Sequence, residues 1–308
     1  MVTAYISHPD CLLHDTGPGH PENAGRLKAI EERVRRDEVW GKLVKCEAPK
    51  ANWQQIAKVH DLNYIETIQR LFPLKRPQYL DSDTLVSKFS LEAALRAAGA
   101  CVHGVDLVMS GSVENAFCAV RPPGHHACVD QSMGFCVFNN IAVAAMHALE
   151  AYRLQRVLIV DFDVHHGNGT EDIFANHPNI LMCGTFQSPF YPNSGGLNGA
   201  HNMVNGPVGA GSSLAEIKDH IQSHWIDAID EFKPQLVLVS AGFDAHQEDP
   251  LAQLNLSTED YAWLTGFLIR VADTYCDGRV VSSLEGGYNH SALGDSVCAH
   301  LRGLSGLA

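Results

Sequence analysis

The sequence predicts a doubly wound α/β domain built on a mostly parallel sheet. Three observations carry this. Short, continuously apolar runs recur along the chain, helix-period segments fall between them, and the runs end in clusters of Asp, His, Gly and Tyr. A strand that is apolar at every position needs cover on both faces, which a parallel sheet flanked by helices supplies. Strand–helix alternation points the same way. With 308 residues, 45% of them hydrophobic and 19% charged, the chain can bury a sizeable core. That excludes a disordered chain and a small disulfide scaffold.

In chain order, strands are expected at 3–7, 116–120, 156–160, 180–183, 236–240 and 280–284, each rich in β-branched or large apolar residues. Helices are expected at 22–36, 90–109, 139–151, 213–232 and 258–276. Ser90 ahead of Glu92, and Ser257 or Thr258 ahead of Glu259 and Asp260, are candidate N-caps. The Gly-rich stretch 195–211 lacks a phosphate-loop ending and is expected to be an irregular surface loop. With no repeat, low-complexity tract or linker, residues 1–308 are expected to form one domain.

Lys plus Arg number 22 and Asp plus Glu 35, a net charge of −13. So acidic a chain is a poor partner for nucleic acid, because the phosphate backbone demands Lys and Arg. It suits cationic substrates such as lysine-bearing chains or polyamines, and serves solubility equally well. No apolar run approaches the roughly 18 residues of a membrane span. The start, MVTAYISHPDCLLHDTGPGH, lacks the features of a secretory signal. The 9 cysteines are scattered without a C-x-x-C pair, which favours reduced thiols and a cytoplasmic location.

In parallel sheets, ligands bind beyond the carboxyl ends of strands. Four runs deliver reactive residues there: R-P-P-G-H-H at 121–126, D-F-D-V-H-H-G-N-G-T at 161–170, A-G-F-D at 241–244 and E-G-G-Y-N at 285–289. Asp163 and His165 are two apart, so on an extended strand end their side chains point the same way. Asp244, from another strand end, can complete a mixed O/N site. Such a set suits Zn²⁺ with an open position, and accepts Fe²⁺, Co²⁺ or Mn²⁺ as well. A lone Asp at a strand end is most often a helix cap; here three candidate ligands converge beside two His pairs.

His166 would point away and make a structural hydrogen bond, while Asp161 would orient another group or bind a second cation. His125 and His126, in a loop stiffened by Pro122 and Pro123, suit acid–base work and should titrate as a pair. Tyr288 follows two glycines and can donate to a developing oxyanion. The chemistry so assembled is metal-assisted hydrolysis of an amide.

These motifs, with G-F-C-V-F-N-N at 134–140, S-A-G-F-D and L-E-G-G-Y-N, resemble the zinc-dependent histone deacetylase family. More narrowly they resemble class II-like bacterial histone deacetylase-like amidohydrolases and acetylpolyamine amidohydrolases. H-P-E-N-A-G-R-L at 20–27 is similar to the family's N-terminal loop. The resemblance implies the arginase/deacetylase fold, with a central eight-stranded parallel sheet and helices on both faces. It implies one Zn²⁺ per chain on Asp163, His165 and Asp244, and K⁺ near Asp161, held with main-chain oxygens of Asp163 and His165. His126 becomes general base and acid, His125 its electrostatic helper held by Asp161, and Tyr288 the oxyanion donor. Gly134 and Phe135 line an acyl tunnel faced by Tyr191, with Phe190 as the alternative. Asn168 stands where class I members carry an Asp behind the second His, so His126 should be less basic. Class IIa members replace the Tyr by His; Tyr288 implies an active enzyme.

Polyamine-specific relatives place a Glu seven residues after the last metal Asp; here that position is Leu251. The dimer-forming insertion of the polyamine enzymes is absent around 74–81. An acetyl-lysine peptide or protein is therefore the expected substrate, against which stand the net charge and nearby Glu248 and Asp249. Asp83, His20 and Pro21 are candidate substrate contacts. Three alternatives stay open: an acetylpolyamine deacetylase, a non-catalytic acyl-lysine binding module, and a two-manganese arginase-like hydrolase. Oligomeric state is not legible.

Overall fold

In the computed structural model, which describes residues 1–196 and 199–307, the strands are β1 (Thr3–Ser7), β2 (Val44–Glu47), β3 (Gln78–Tyr79), β4 (Leu85–Val86), β5 (Asn115–Cys118), β6 (Val157–Asp161), β7 (Ile180–Gln187), β8 (Met203–Val208), β9 (Leu236–Ala241) and β10 (Val280–Leu284). Among the described residues, eight form one sheet in the order β2-β1-β5-β10-β9-β6-β7-β8. Every pairing in it is parallel. β3 and β4 pair separately as a short antiparallel ribbon. Helices pack around the sheet, giving the arginase/deacetylase architecture.

The central strands are mostly apolar because both faces are covered: β6, β7, β9 and β10 are buried at every position, their few polar residues including Asp161, Ser240, Ser282 and Ser283. Register places the site. Asn115 pairs with Val280, Val280 with Val237, and Val157 with Leu236. The four strands that precede the motif loops are thus consecutive neighbours, level at their ends, and their loops emerge side by side.

The six expected strands stand where the apolar runs placed them, with shifts of at most two residues at their ends except in β7, which runs four residues past its expected end to Gln187. β2 and β8 were not expected. Both are sheet edges, which need less apolar cover: β2 is largely exposed, and β8 is diluted by Asn205, Gly206 and Pro207. The stretch 195–211 is therefore no mere loop, since it carries β8; its residues 197 and 198 lie outside the described residues.

The helix Ser90–Met109 stands as read, although Ser90 is its first residue rather than its cap. Ser90 Oγ instead accepts from Ser87 N at 2.8 Å and lies 2.7 Å from His14 Nδ1. Asn139 caps Asn140–Ala151, and Ser257 caps Thr258–Tyr275 in a reciprocal box with Asp260. Leu214–His220 continues through a π turn at Ile221–Trp225 into Ile226–Phe232. Helices Leu62–Leu71 and His290–Leu304 were not anticipated.

The helix expected from Glu22 begins at Gly25, because Glu22 turns into the core. Its carboxylate takes Arg121 Nη2 at 2.7 Å, Arg121 Nε, and Arg26 Nη1 at 3.2 Å. All three side chains are fully buried. Burial alone would push Glu22 up, but Arg121 and Arg26 outweigh it and hold the carboxyl at about 2. Burial lowers His14 and His60 to about 4 and His300 to about 3.

Acid stability follows from these directions. A histidine depressed in the fold binds its proton more readily when unfolded, so its stabilisation is full above about pH 6.5 and is lost as pH falls. Glu22, also depressed, stabilises above the ordinary carboxylate range and loses this as pH drops towards 2. Asp249 and Glu285, raised to about 6 and 7, act in the opposite sense over this range, so we expect the histidine loss to show as a Tm that falls between about pH 6.5 and pH 4 relative to a His300→Asn variant, which has no imidazole to protonate. A Tm difference between the two proteins that stays constant over that range would contradict a buried neutral His300.

Candidate active site

Beyond the carboxyl ends of β6 and β9, Asp163, His165 and Asp244 offer ligand atoms that all lie within 4.8 Å of one another. His165 Nδ1 is 2.9 Å from Asp163 Oδ1 and 3.2 Å from Asp244 Oδ2. Both carboxylates are buried. Asp244 Oδ1 accepts from Val164 N at 3.0 Å, and Asp163 Oδ2 from Gly286 N at 2.8 Å. Asp244 Oδ2 is buried and makes no hydrogen bond among the described residues. It faces His165 with a lone pair to spare.

The cradle needs glycine. A Cβ on Gly286 would strike Asp244 Oδ2 and Asp163 Oδ2, and one on Gly242 would strike Asp163. The electrostatics fit a divalent cation. Burial and the neighbouring Asp163 raise the Asp244 carboxyl. His165 rises to about 10 despite burial, because Asp163 and Asp244 hold a proton where a cation would sit. Two carboxylate oxygens and one imidazole nitrogen form a donor set suited to a divalent metal with open positions.

His125 and His126, carried by the loop after β5, lie with ring centroids 4.0 Å apart. His125 Nδ1 is 2.9 Å from Asp161 Oδ2, and His126 Nδ1 is 2.6 Å from Asn168 Oδ1. These partners separate their titrations. Burial opposes charge on His125, but Asp161 and Asp163 outweigh it and raise it well above the usual range. Burial, then His125 and His165, push His126 well below it. The two imidazoles are pushed in opposite directions, a difference in proton affinity that acid–base chemistry can use.

Tyr288 is placed from two sides. Its backbone N donates to Asp249 Oδ2 at 2.7 Å, and the Arg26 guanidinium sits 5.0 Å from its ring centroid. Arg26 Nε also donates to Gly287 O at 2.6 Å, and Nη2 to Glu285 O. Burial and then Asp244 raise the phenol well above its ordinary value, so it remains a donor. Glu285 Oε2 accepts from Gly124 N at 2.6 Å and His125 N at 3.2 Å, tying the Tyr288 loop to the histidine loop.

A cavity of about 250 Å³ descends to these groups, lined by Asp83, His126, Gly134, Phe135, His165, Tyr191, Leu251 and Tyr288. Tyr191, not Phe190, is its facing wall; Phe190 stacks on His165 at 5.3 Å. Tyr191 meets His126 edge-on at 5.3 Å. Gly134 and Phe135 both adopt positive φ, +56° and +68°. A Cβ on Gly134 would strike the His126 ring. Asp83 Oδ1 accepts from Gly134 N at 3.0 Å, so it braces this turn. His20 and Pro21 line a second cavity of about 660 Å³ that shares Tyr288, and the His20 ring meets Phe135 at 4.7 Å. His166 turns away to Ser194 at 2.8 Å and Glu171 at 2.9 Å, the structural role expected of it.

Sequence reading missed Glu22, Arg26, Arg121, Asp249 and Glu285 as members of the site. Arg121 and Glu285 are the first residues of two of the motifs, but nothing local announces that either is buried and pointed at a neighbouring loop.

Fold and site together define a metal-dependent α/β hydrolase. A profile of the histone deacetylase domain matches residues 20–304, and the chain belongs to the histone deacetylase family. It is similar to histone deacetylase 14, chloroplastic, of Arabidopsis thaliana, with 36% identity covering 93% of this chain and 73% of that one. A probable deacetylase of Archaeoglobus fulgidus is 34% identical over 94% of this chain and 82% of its own length. The crystal structure of the HDA15 HD domain superposes with a TM-score of 0.92 at 33% identity, covering all of this chain and 89% of that one.

The glycine cradle gives a direct test. Gly286→Ala is expected to weaken divalent-metal binding by at least about tenfold, measured by chelator competition on protein whose fold is verified by circular dichroism. Unchanged affinity would remove Asp163 and Asp244 from the metal site.

Proposed function

We propose that the chain is a zinc-dependent lysine deacetylase, one catalytic domain over 1–308 that removes acetyl groups from lysine side chains of proteins or peptides. The observation that carries this reading is the divergent histidine pair beside the Asp163, His165 and Asp244 cluster, at the foot of a narrow cavity walled by Tyr288. Asp163, His165 and Asp244 would hold the zinc, which supplies Lewis acidity to the substrate carbonyl and acidifies water. Asp161, with main-chain oxygens of Asp163 and His165, is assigned to K⁺ on the family resemblance.

His126, neutral and with Nδ1 held by Asn168, takes a proton at Nε2 from the attacking water. His125, kept cationic by Asp161, stabilises the negative charge that develops beside it. Tyr288 donates its hydroxyl hydrogen bond to the former carbonyl oxygen. As the C–N bond breaks, His126 returns the proton to the departing amine nitrogen. The products are acetate and free lysine. Phe135 and Tyr191 flank the aliphatic stem and exclude water from it.

Leu251 at the mouth supports acyl-lysine, because a free polyamine ammonium would want a carboxylate there. The acetylpolyamine reading is kept by Glu248, whose exposed carboxylate lines the neighbouring cavity. No helix among the described residues is long and apolar enough to cross a membrane. The 9 free cysteines favour a reducing compartment, the cytoplasm.

The deciding assay offers zinc-loaded protein an acetyl-lysine peptide and acetylated spermidine or putrescine, with and without a hydroxamate chelator. Faster peptide turnover, stopped by the chelator, is expected; preference for the polyamine would move the assignment to that substrate, and no cleavage of either would favour a binding module. His126→Ala and Tyr288→Phe should each lower kcat by at least about 100-fold with zinc retained. Near-wild-type rates in a metal-replete variant would refute these roles. Leu251→Glu should shift the ratio of kcat/KM values towards the polyamine, and an unmoved ratio would dismiss Leu251 as the selector.

A further inference from the structure

We propose that Met133 and Cys128 are positioning residues that fix the tautomer of His126 by orienting the amide of Asn168. The inference rests on the reading of His126 as the general base. An Asn side chain can turn over end for end at little steric cost, exchanging its carbonyl oxygen for its amino group. Which end faces His126 decides the chemistry. With Oδ1 towards Nδ1, at 2.6 Å, His126 carries its hydrogen on Nδ1 and leaves the Nε2 lone pair for substrate water. With the amino group there, Nδ1 would become the acceptor and Nε2 would carry the hydrogen. The base would then have no lone pair to offer.

Two sulfur atoms resolve the choice. Asn168 Nδ2 lies 3.1 Å from Met133 Sδ and 3.4 Å from Cys128 Sγ. A thioether has no hydrogen, so Met133 can only accept. Cys128 has one, which it directs to His126 O at 3.6 Å, leaving its lone pairs to Asn168. Turning the amide over would set Oδ1 against both sulfurs and forfeit two N–H···S contacts. The clamp is built into the loop that follows the histidine pair. Cys128 N donates to Gln131 O at 2.9 Å, and Cys136 N to Met133 O at 2.9 Å. The tight turn Met133–Cys136 carries the positive-φ residues Gly134 and Phe135, so the same turn shapes the tunnel and orients the amide. A carboxylate in place of Asn168 has two like oxygens and no amide orientation to settle. The sulfurs answer a need that only the amide creates.

The test is the tautomer itself, read by ¹⁵N NMR on histidine-labelled protein, with His126 assigned by its loss in His126→Gln. Wild type should show a hydrogen on Nδ1. Met133→Leu combined with Cys128→Ala should populate the Nε2–H form, and Cys128→Ser, which keeps an acceptor, should restore the original state. In turnover, Met133→Leu should lower kcat about five- to tenfold and change KM less than about twofold, the worth of one such hydrogen bond. In an Asn168→Asp background the same substitution should cost nothing further. A tautomer unmoved in the double variant, or an equal loss in the Asn168→Asp background, would overturn the clamp. The NMR readout does not need turnover: if the tautomer shifts while His126→Ala retains activity, the clamp stands and the general-base role falls.

Discussion

The Glu22 carboxylate binds two guanidiniums, those of Arg26 and Arg121, in a place none of the three shares with water. One negative and two positive charges do not balance, and carbonyl oxygens take up the difference. Arg121 also donates to Cys11 O and His14 O, while Arg26 donates to Glu285 O and Gly287 O. Removing one partner of a buried ion pair typically costs about 3–5 kcal/mol, since the survivor is left uncompensated. Here such a loss would also release geometry. Arg121 begins the loop that carries His125 and His126, and Arg26 lies against Tyr288. The N-terminal loop, the histidine loop and the tyrosine loop are thus held to a common point, and the spacing between His126 and Tyr288 depends on it.

Around that frame the site gathers buried carboxylates whose surroundings differ. Asp161 is spent on His125, Asp163 on His165, and Glu285 on the backbone of the histidine loop. Asp249 accepts from the backbone of Tyr288 and of Leu251. Burial raises Asp249 to about 6 and Glu285 to about 7, so these two braces stand nearer to protonation than an ordinary carboxyl. Among the described residues, Asp244 Oδ2 and Glu285 Oε1 are the oxygens of these five that make no hydrogen bond, and of the two it is Asp244 Oδ2 that lies 3.2 Å from His165 Nδ1, inside the candidate metal cluster. The arrangement separates carboxylates that position loops from those in the candidate metal cluster, with the same side-chain chemistry serving both.

Much of this was legible in the residues. Near-continuous apolar runs announced parallel strands, because a strand covered on both faces leaves little room for polar side chains beyond small ones such as Ser240, Ser282 and Ser283. The motif loops announced the chemistry, because Asp, His and Tyr after four such runs converge at one rim in any parallel sheet. Edges were harder to read. β2 and β8 need cover on fewer sides and so carry Lys45, Glu47, Asn205 and Gly206, which blur the pattern.

The sequence by itself determined the class of sheet, the four loops that carry the reactive groups, and the kinds of ligand they present. Only the tertiary structure decided that β5, β10, β9 and β6 lie side by side, that Tyr191 rather than Phe190 walls the cavity, and that Glu22 is a core residue rather than the start of a helix. The reason is one of range. Periodicity and strand-end chemistry are set within a few residues and survive in any arrangement of the chain. Strand order, burial of an ion cluster and the facing of two adjacent aromatics depend on groups up to 261 residues apart, as Arg26 and Gly287 are, and exist only once the sheet has closed.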